Sequence, residues 1–245
     1  MLLEVKGLCK NFGGLQVIRD LDFCVSEGQL TSVIGPNGAG KTTLFNVISG
    51  RFAPSSGKII FEGKEISGLK PHVISQMGLA RSFQITNVFG SLTVMENVLL
   101  ACQSRLPERI SLRKGSATFD GLAEKAEGIL RRIGIAQHRD RPARELSHGD
   151  QRHLEIAMTL ATDPKLLLLD EPTSGMSPAE TAQTMDLIEE ISRSVTVLLI
   201  EHDMHLVMNI SHNIVVLDYG TKIAEGPPQE IKNNPEVRRV YLGGL

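Results

Sequence analysis

Short apolar runs recur along the chain, and helical patterns lie between several of them. The runs that predict strands cover residues 2–5, 30–34, 58–61, 166–169, 195–200 and 214–217. Strands that alternate with helices are typical of a mostly parallel α/β sheet. The four consecutive leucines at 166–169 predict a strand buried on both faces, as the strands of a parallel sheet usually are.

Residues 87–160 follow a different pattern, in which strand signals are sparse. Thr93 is followed three positions later by Glu96, and this capping box predicts that a helix begins there. Further along, apolar residues recur at helical spacing, namely at Leu122, Ala126, Leu130 and Ile133. We therefore expect a helical subdomain over 87–160, inserted into a core formed by 1–86 and 161–245.

Composition and charge limit the class of protein. A chain of 245 residues suffices for one large domain, or for a core with a subdomain. Its formal net charge of −2 provides no global basic field for nucleic acid. The three cysteines are widely spaced without a Cys-x-x-Cys pair, which argues against a disulfide framework or a zinc site and fits a reducing compartment.

The pattern of apolar residues predicts neither a signal peptide nor a membrane-spanning helix in this sequence. Glu4 and Lys6 interrupt the apolar run at the start of the sequence, which argues against a signal peptide. No run approaches the roughly 18 apolar residues that a membrane span needs. If the protein acts at a membrane, we expect the spans to belong to another chain.

A glycine-rich segment between the predicted strand at 30–34 and a predicted helix matches G-x-x-x-x-G-K-[S/T]. It comprises Gly35, Pro36, Asn37, Gly38, Ala39, Gly40, Lys41 and Thr42, and Thr43 follows. Glycines let backbone N–H groups converge on phosphate oxygens, and a helix N-terminus attracts anions. We expect Lys41 to bridge the β- and γ-phosphates of ATP and Thr42 to ligate Mg²⁺. The strand–loop–helix context disfavours the alternative of a chance glycine-rich turn.

Two carboxylates, Asp170 and Glu171, follow the leucine strand. The carboxyl ends of strands are where α/β sheets place their ligands. We expect Asp170 to organise Mg²⁺ and its waters. Glu171 is then the candidate catalytic residue, as a general base or water-orienting group for attack on the γ-phosphate. Two solvated acids at a strand end are the alternative, which the upstream phosphate loop disfavours.

A segment before these carboxylates resembles the LSGGQ signature of the ATP-binding-cassette (ABC) family. It reads Leu146, Ser147, His148, Gly149, Asp150 and Gln151, with His148 and Asp150 in place of the usual glycine and glutamine. Ser147 and Asp150 also predict a helix N-cap, whose positive end attracts an anion. The resemblance implies that Ser147, Gly149 and Asp150 contact the nucleotide held by an opposite subunit, in a head-to-tail sandwich.

Three further positions match ABC motifs in the expected order, namely Phe12, Gln84 and His202. The resemblance implies that Phe12 stacks on adenine. It implies that Gln84 contacts Mg²⁺ or the attacking water, and that His202 contacts the γ-phosphate, so that both join Glu171 in catalysis. A core phenylalanine and a structural histidine are the alternatives for Phe12 and His202.

The segment at 174–177 takes the place of the family's D-loop but lacks its usual acidic residue. Ser177, Pro178 and Glu180 instead predict a helix start, with Ser as N-cap, Pro at the first position and Glu at the third. The resemblance as a whole implies a P-loop NTPase (RecA-like) α/β core, with an N-terminal antiparallel β region and the inserted helical subdomain.

Several stretches look like the ATPases of branched-chain amino acid importers in particular, namely 78–84, 88–98 and 240–243. The predicted loop at 104–118 also falls where that family carries a longer loop. The resemblance implies a peripheral subunit at the cytoplasmic face of the cytoplasmic membrane. Its implied partners are two transmembrane permease subunits, a second cassette that is the same chain or a homologue, and indirectly a substrate-binding protein.

Other functions stay open beside this one. Urea or amide importers and the lipopolysaccharide-export ATPase share the general pattern. Soluble ABC proteins that act on DNA or ribosomes usually carry tandem cassettes or a long coiled coil, and this sequence has one cassette and no heptad array. A small-molecule P-loop kinase would leave the signature motif unexplained.

Overall fold

A computed structural model of the chain describes residues 1–82, 88–106 and 117–242. The strands within these residues are β1 (Leu3–Phe12), β2 (Leu15–Val25), β3 (Leu30–Ile34), β4 (Ser56–Phe61), β5 (Lys64–Glu65), β6 (Leu79–Arg81), β7 (Leu166–Asp170), β8 (Thr196–Ile200), β9 (Asn213–Asp218) and β10 (Thr221–Gly226). The helices are α1 (Lys41–Ile48), α2 (Pro71–Gln76), α3 (Val94–Gln103), α4 (Ala117–Ile133), α5 (His148–Leu160), α6 (Pro178–Ser192), α7 (Met204–Ile210), α8 (Pro228–Asn233) and α9 (Pro235–Leu242).

The larger sheet has six strands in the order β10-β9-β3-β8-β7-β6. All neighbours run parallel except β10, which is antiparallel to β9. Every residue of β3, β7 and β8 is buried, which confirms the mostly parallel sheet and the leucine strand buried on both faces. Because β8 lies between β3 and β7, the carboxyl ends of these three strands meet at one edge of the sheet.

The smaller sheet is antiparallel, in the order β2-β1-β4-β5, and confirms the expected N-terminal antiparallel region. Leucine, isoleucine and phenylalanine side chains from it pack with helix α1 against one face of the parallel sheet. Burying this apolar surface is the main force that holds the two sheets together. It also fixes α1, and with it the loop that precedes α1, over the carboxyl edge of β3.

Helices α3, α4 and α5 pack on one another and, together with α6, against the other face of the parallel sheet. Helix α3 begins after the predicted capping box, in which Thr93 and Glu96 bond reciprocally. The predicted helical spacing in α4 is confirmed, because Ala126, Leu130 and Ile133 are buried and Leu122 packs half-buried against the same cluster. The predicted loop is too long at its C-terminal end, because α4 already begins at Ala117.

A third apolar cluster joins α7, α8 and α9 to β3 and β9. No described helix is long and apolar enough to cross a membrane. The proposed boundaries of the helical subdomain at 87 and 160 stay a prediction, although α3, α4 and α5 all lie between them.

Candidate nucleotide-binding site

The predicted phosphate loop connects β3 to α1, as the sequence indicates. A methyl group on Gly35 would lie 2.2 Å from the backbone oxygen of Leu217, so only glycine fits there. Gly40 caps α1 with a φ of 96°, in the left-handed region that favours glycine. The N-cap residue, Gly40, has no side chain with which to cap the helix. The first turn of α1, which carries Thr42 and Thr43, therefore offers its backbone N–H groups to an anion.

Lys41 is the first residue of α1 and is only 6% exposed. Its Nζ donates hydrogen bonds to the backbone oxygens of Gly35 at 2.6 Å and of Pro36 at 3.1 Å. Burial lowers the pKa of Lys41, while the negative charges of Glu171 and Asp170 act in the opposite direction. The ends of β3 and β7 are thus close enough to interact electrostatically, and a bound phosphate would further favour the charged ammonium.

Asp170 ends β7 and is fully buried. Its Oδ2 accepts a hydrogen bond from Arg81 Nη2 at 2.8 Å, which forms a buried ion pair. Its Oδ1 is buried with no hydrogen-bond partner within the described part of the chain. Such an unpaired carboxylate oxygen is costly unless something else binds it. The carboxylate is therefore a suitable acceptor for a metal-bound water or a cation.

Arg81, for which the sequence assigned no role, ties three elements together. Its Nη1 donates to Asn46 Oδ1 at 2.8 Å and to Ser49 Oγ at 3.1 Å, both at the C-terminal part of α1. Burial lowers the pKa of Arg81, and the contact with Asp170 opposes this. Because arginine stays charged in proteins, it supplies a fixed counter-charge to Asp170. No local sequence signal marks Arg81, because β6 has only three residues and Asp170 lies 89 positions further along the chain.

Glu171 follows Asp170 with a φ of 47°, an unfavourable backbone conformation for a residue other than glycine. Its backbone N–H donates to the oxygen of Ile200 at 2.9 Å, which fixes the turn to the end of β8. Residues held in such conformations cluster at functional sites. The side chain is partly exposed, so its carboxylate can reach solvent and a bound ligand.

His202 follows β8 and therefore lies between the phosphate loop and Glu171 along the sheet edge. Its side chain is 60% exposed, so the imidazole is not a core residue. The preceding residue, Glu201, is fully buried, and burial raises its pKa. Glu201 was not a candidate from sequence, although a carboxylate directly after a buried strand was the same signal that selected Glu171.

Phe12 lies at the end of β1 and is 43% exposed, so it is not a core phenylalanine. Its ring makes an edge contact with Phe52, with centroids 5.3 Å apart, and the Nζ of Lys10 lies 4.8 Å from its centroid. The hairpin formed by β1 and β2 reaches the phosphate loop, because a methyl group on Gly40 would lie 3.0 Å from the backbone oxygen of Val17. The partly exposed Phe12 ring thus lies at the end of the hairpin whose strand β2 contacts the phosphate loop.

The signature segment begins α5, with Ser147 as its N-cap, as predicted. The Ser147 Oγ accepts from the Asp150 N–H at 3.1 Å and donates to Asp150 Oδ2 at 2.8 Å. A methyl group on Gly149 would lie 3.0 Å from Glu180 Oε1, which places this turn against the start of α6. The contacts described for Ser147, Gly149 and Asp150 do not reach the phosphate loop of the same chain. Gln84 lies outside the described residues.

Comparisons with known proteins agree with this geometry. A family model described as ABC transporter matches residues 18–174, and one described as branched-chain amino acid ATP-binding cassette transporter matches 221–244. The high-affinity branched-chain amino acid transport ATP-binding protein LivG of Salmonella typhimurium is 43% identical, over 99% of this chain and 98% of that protein. The corresponding BraF protein of Pseudomonas aeruginosa is 42% identical over the same shares.

Solved structures show the same fold. A nucleotide-free ATP-binding cassette from an ABC transporter has a TM-score of 0.84 and 32% identity, over 98% of each chain. The ADP conformation of a transporter cassette has a TM-score of 0.86 and 31% identity, over 99% of this chain and 98% of that one.

Among sequence relatives, the lipopolysaccharide export ATP-binding protein LptB of Haemophilus influenzae is 32% identical, over 99% of this chain and 97% of that protein.

Proposed function

The chain belongs to the ATP-binding-cassette family of ABC transporters, and we propose that it is the ATPase subunit that energises import of branched-chain or related amino acids. The observation that carries the substrate class is the identity of 41–43% to transport proteins of that name, over 99% of the chain. LptB, at 32% identity, supports lipopolysaccharide export less well. The peripheral location at the cytoplasmic face of the membrane is part of the same proposal.

The phosphate loop and the ends of β7 and β8 support binding of ATP with Mg²⁺. Lys41 binds the phosphates, which is consistent with its position under the loop and its interaction with two carboxylates. Thr42 and Asp170, together with Gln84, would hold Mg²⁺, and the unpaired Oδ1 of Asp170 fits that assignment. When bound, Mg²⁺ neutralises charge on the phosphates. Among the described residues, no three His, Cys, Asp or Glu side chains are grouped closely enough to hold a metal ion by themselves.

Glu171 is the residue that we assign to hydrolysis. Its backbone is held by Ile200, and its partly exposed carboxylate accepts a proton from the water that attacks the γ-phosphate, or orients that water. His202 binds the γ-phosphate from the neighbouring loop, and Gln84 contributes to the same step. Phe12 stacks on the adenine through its exposed face.

The signature residues complete the site of a second cassette. Ser147, Gly149 and Asp150 lie at the positive end of α5, where an anion is favoured. Gly149 lies against Glu180 at the start of α6, while Ser147 and Asp150 bond to each other. The contacts described for these residues do not reach the phosphate loop of the same chain, which supports contact across a head-to-tail dimer. ATP then favours the closed dimer because its phosphates touch both chains, and hydrolysis removes that bridge.

A groove of about 700 Å³ lies between β6 with α2 on one side and α3 with α5 on the other. Phe89 and Leu100 line it and are 54% and 40% exposed. The fully buried Asn97 fixes Phe89 there, since its Oδ1 accepts from the Phe89 N–H at 2.8 Å and its Nδ2 donates to the Phe89 oxygen at 3.1 Å. We assign this apolar groove to a helix of the membrane subunit.

The test is uptake of labelled leucine, with urea and a basic amino acid alongside, in cells that carry wild-type or Glu171→Gln protein. Loss of leucine uptake alone is expected in the variant. Glu189→Gln, the same chemical change on the exposed face of α6, serves as the control and should leave uptake unchanged. If uptake of all three compounds stays unchanged in Glu171→Gln, the amino acid importer assignment is wrong.

A further inference from the structure

We propose that Glu201 is a positioning residue, which together with Thr173 holds the loop of His202 in register with the turn of Glu171. The proposal rests on the catalytic roles assigned above to Glu171 and His202. It concerns residues at the ends of β7 and β8, the two neighbouring strands that carry these side chains.

The Glu201 carboxylate joins the two loops through both of its oxygens. Its Oε1 accepts hydrogen bonds from the Thr173 hydroxyl at 2.6 Å and from the Thr173 backbone N–H at 3.2 Å. Its Oε2 accepts from the His202 backbone N–H at 3.3 Å and lies 3.7 Å from His202 Nδ1. One side chain therefore contacts the turn after Glu171 and the backbone and imidazole of His202.

The burial of the Glu201 carboxylate indicates that this side chain does more than stabilise the fold. Glu201 is fully buried, and among the described residues it forms no ion pair with a lysine or arginine; the imidazole of His202, 3.7 Å away, is exposed. A buried carboxylate is costly, and an apolar residue of similar volume would commonly stabilise the fold at least as well. A buried carboxylate at the junction of the two loops that carry Glu171 and His202 therefore points to a role for its hydrogen bonds.

The exposure of the His202 imidazole explains why the hydrogen bonds of Glu201 are needed. The turn at Glu171 is held to β8 by a separate hydrogen bond, which the Glu171 N–H donates to the backbone oxygen of Ile200 at 2.9 Å. His202 lies beyond the end of the strand and is 60% exposed, so packing does not fix its ring. The Glu201 bridge supplies the missing constraint, because it fixes the backbone of residue 202 relative to residue 173. Misplacement of a phosphate-binding group lowers the rate of the chemical step more than it lowers ground-state binding.

The test compares Thr173→Val, which removes the hydroxyl at nearly constant volume, with Thr173→Ser, which keeps it. ATP hydrolysis is measured on the full chain, with its membrane partners where turnover requires them. We expect Thr173→Val to lower kcat about tenfold, the effect of losing one hydrogen bond to a charged group, while KM for ATP changes less than about twofold. Thr173→Ser should restore kcat to within about threefold of wild type.

A second variant guards against misfolding of the first. Glu201→Gln keeps an acceptor for Thr173 but places an amide N–H group against the His202 N–H, so kcat should again fall with little change in KM. Wild-type kcat in both Thr173→Val and Glu201→Gln overturns the proposal, and so does a loss in Thr173→Ser as large as in Thr173→Val. Normal turnover in Glu171→Gln would instead show that the catalytic assignment itself is wrong, whatever Thr173 does.

Discussion

Asp170 and Glu171 are adjacent carboxylates in different electrostatic environments. Asp170 is fully buried and paired with Arg81, whereas Glu171 is partly exposed and has no ion pair among those formed by the described residues. Neighbouring acids whose surroundings differ in this way commonly divide binding and proton transfer between them. The pairing places a positive charge beside Asp170, and the exposure leaves Glu171 accessible to water.

Glu201 predicts a pH dependence of stability at the scale of one residue. Because burial raises its folded-state pKa above the ordinary value of 4.5, the native state binds this proton more tightly than the unfolded state does. Glu201 therefore disfavours folding increasingly as the pH rises from about 4.5 through the folded pKa. We expect the free energy of unfolding of Glu201→Gln, relative to wild type, to increase over that window. Denaturant unfolding at several pH values measures it, and a difference that does not change with pH would contradict the prediction.

At the scale of elements, the N-terminus of α6 determines the position of the segment that faces the signature turn. Helix α6 begins with a capping box, in which the Ser177 Oγ accepts from the Glu180 N–H at 3.4 Å and the Glu180 carboxylate accepts from the Ser177 N–H at 2.9 Å. Pro178 occupies the first position of the helix. The box fixes the segment that faces the signature turn, since Gly149 lies beside Glu180. The segment at 174–177, which lacks the acidic residue usual in the family's D-loop, therefore ends in the N-cap of α6.

This capping box predicts a measurable stability. We expect Ser177→Ala to lower the free energy of unfolding by about 1 kcal/mol, because it leaves helix N–H groups without the hydroxyl acceptor. Ser177→Thr keeps the hydroxyl and should lose much less. Thermal or denaturant unfolding of the two variants and of wild type measures these differences. Equal stability of Ser177→Ala and wild type would refute the contribution assigned to the capping box.

Strands with an uninterrupted apolar run were predictable from sequence, whereas others were not. Strand β2 was missed because Asp20, with a φ of 41°, lies where the register with β1 shifts and breaks the alternation of buried and exposed residues. Strand β6 has only three residues, too few for a periodic signal. Strand β10 lies at the sheet edge with no fully buried residue, so its sequence carries little hydrophobic pattern.

The candidate site was predictable where its residues are neighbours along the chain. The phosphate loop and the Asp170–Glu171 pair are local patterns whose spacing carries the chemistry. Arg81 pairs with Asp170 across 89 positions, and Thr173 bonds to Glu201 across 28. Such pairs arise only when β6, β7 and β8 align in the sheet, and no local pattern encodes that alignment.

At the scale of the whole molecule, the phosphate loop and the signature turn belong to different parts of the fold. The loop is held by the core that joins the two sheets, whereas α5 packs with α3 and α4 on the opposite face of the parallel sheet. The head-to-tail dimer proposed for this chain brings the signature turn of one copy to the nucleotide of the other. Each nucleotide then links two chains.

The dimer predicts the behaviour of a signature variant. In a Glu171→Gln background, which preserves bound ATP, we expect Ser147→Arg to bind ATP as a monomer and to fail to dimerise, because a bulky cation replaces the small N-cap at the interface. Gln229→Arg adds the same side chain on the exposed surface of α8 and should still dimerise. Size-exclusion chromatography with ATP measures both, and a stable Ser147→Arg dimer would refute the trans site.

The most direct test of the account is ATP turnover by Glu171→Gln, measured together with ATP binding. Glu171 is assigned to the water that attacks the γ-phosphate, and loss of a general base typically slows a reaction by ~10²- to 10⁴-fold. We predict a loss of that size in kcat with ATP binding retained. Near-normal turnover in this variant would contradict the assignment of Glu171 and, with it, the proposed mechanism of hydrolysis.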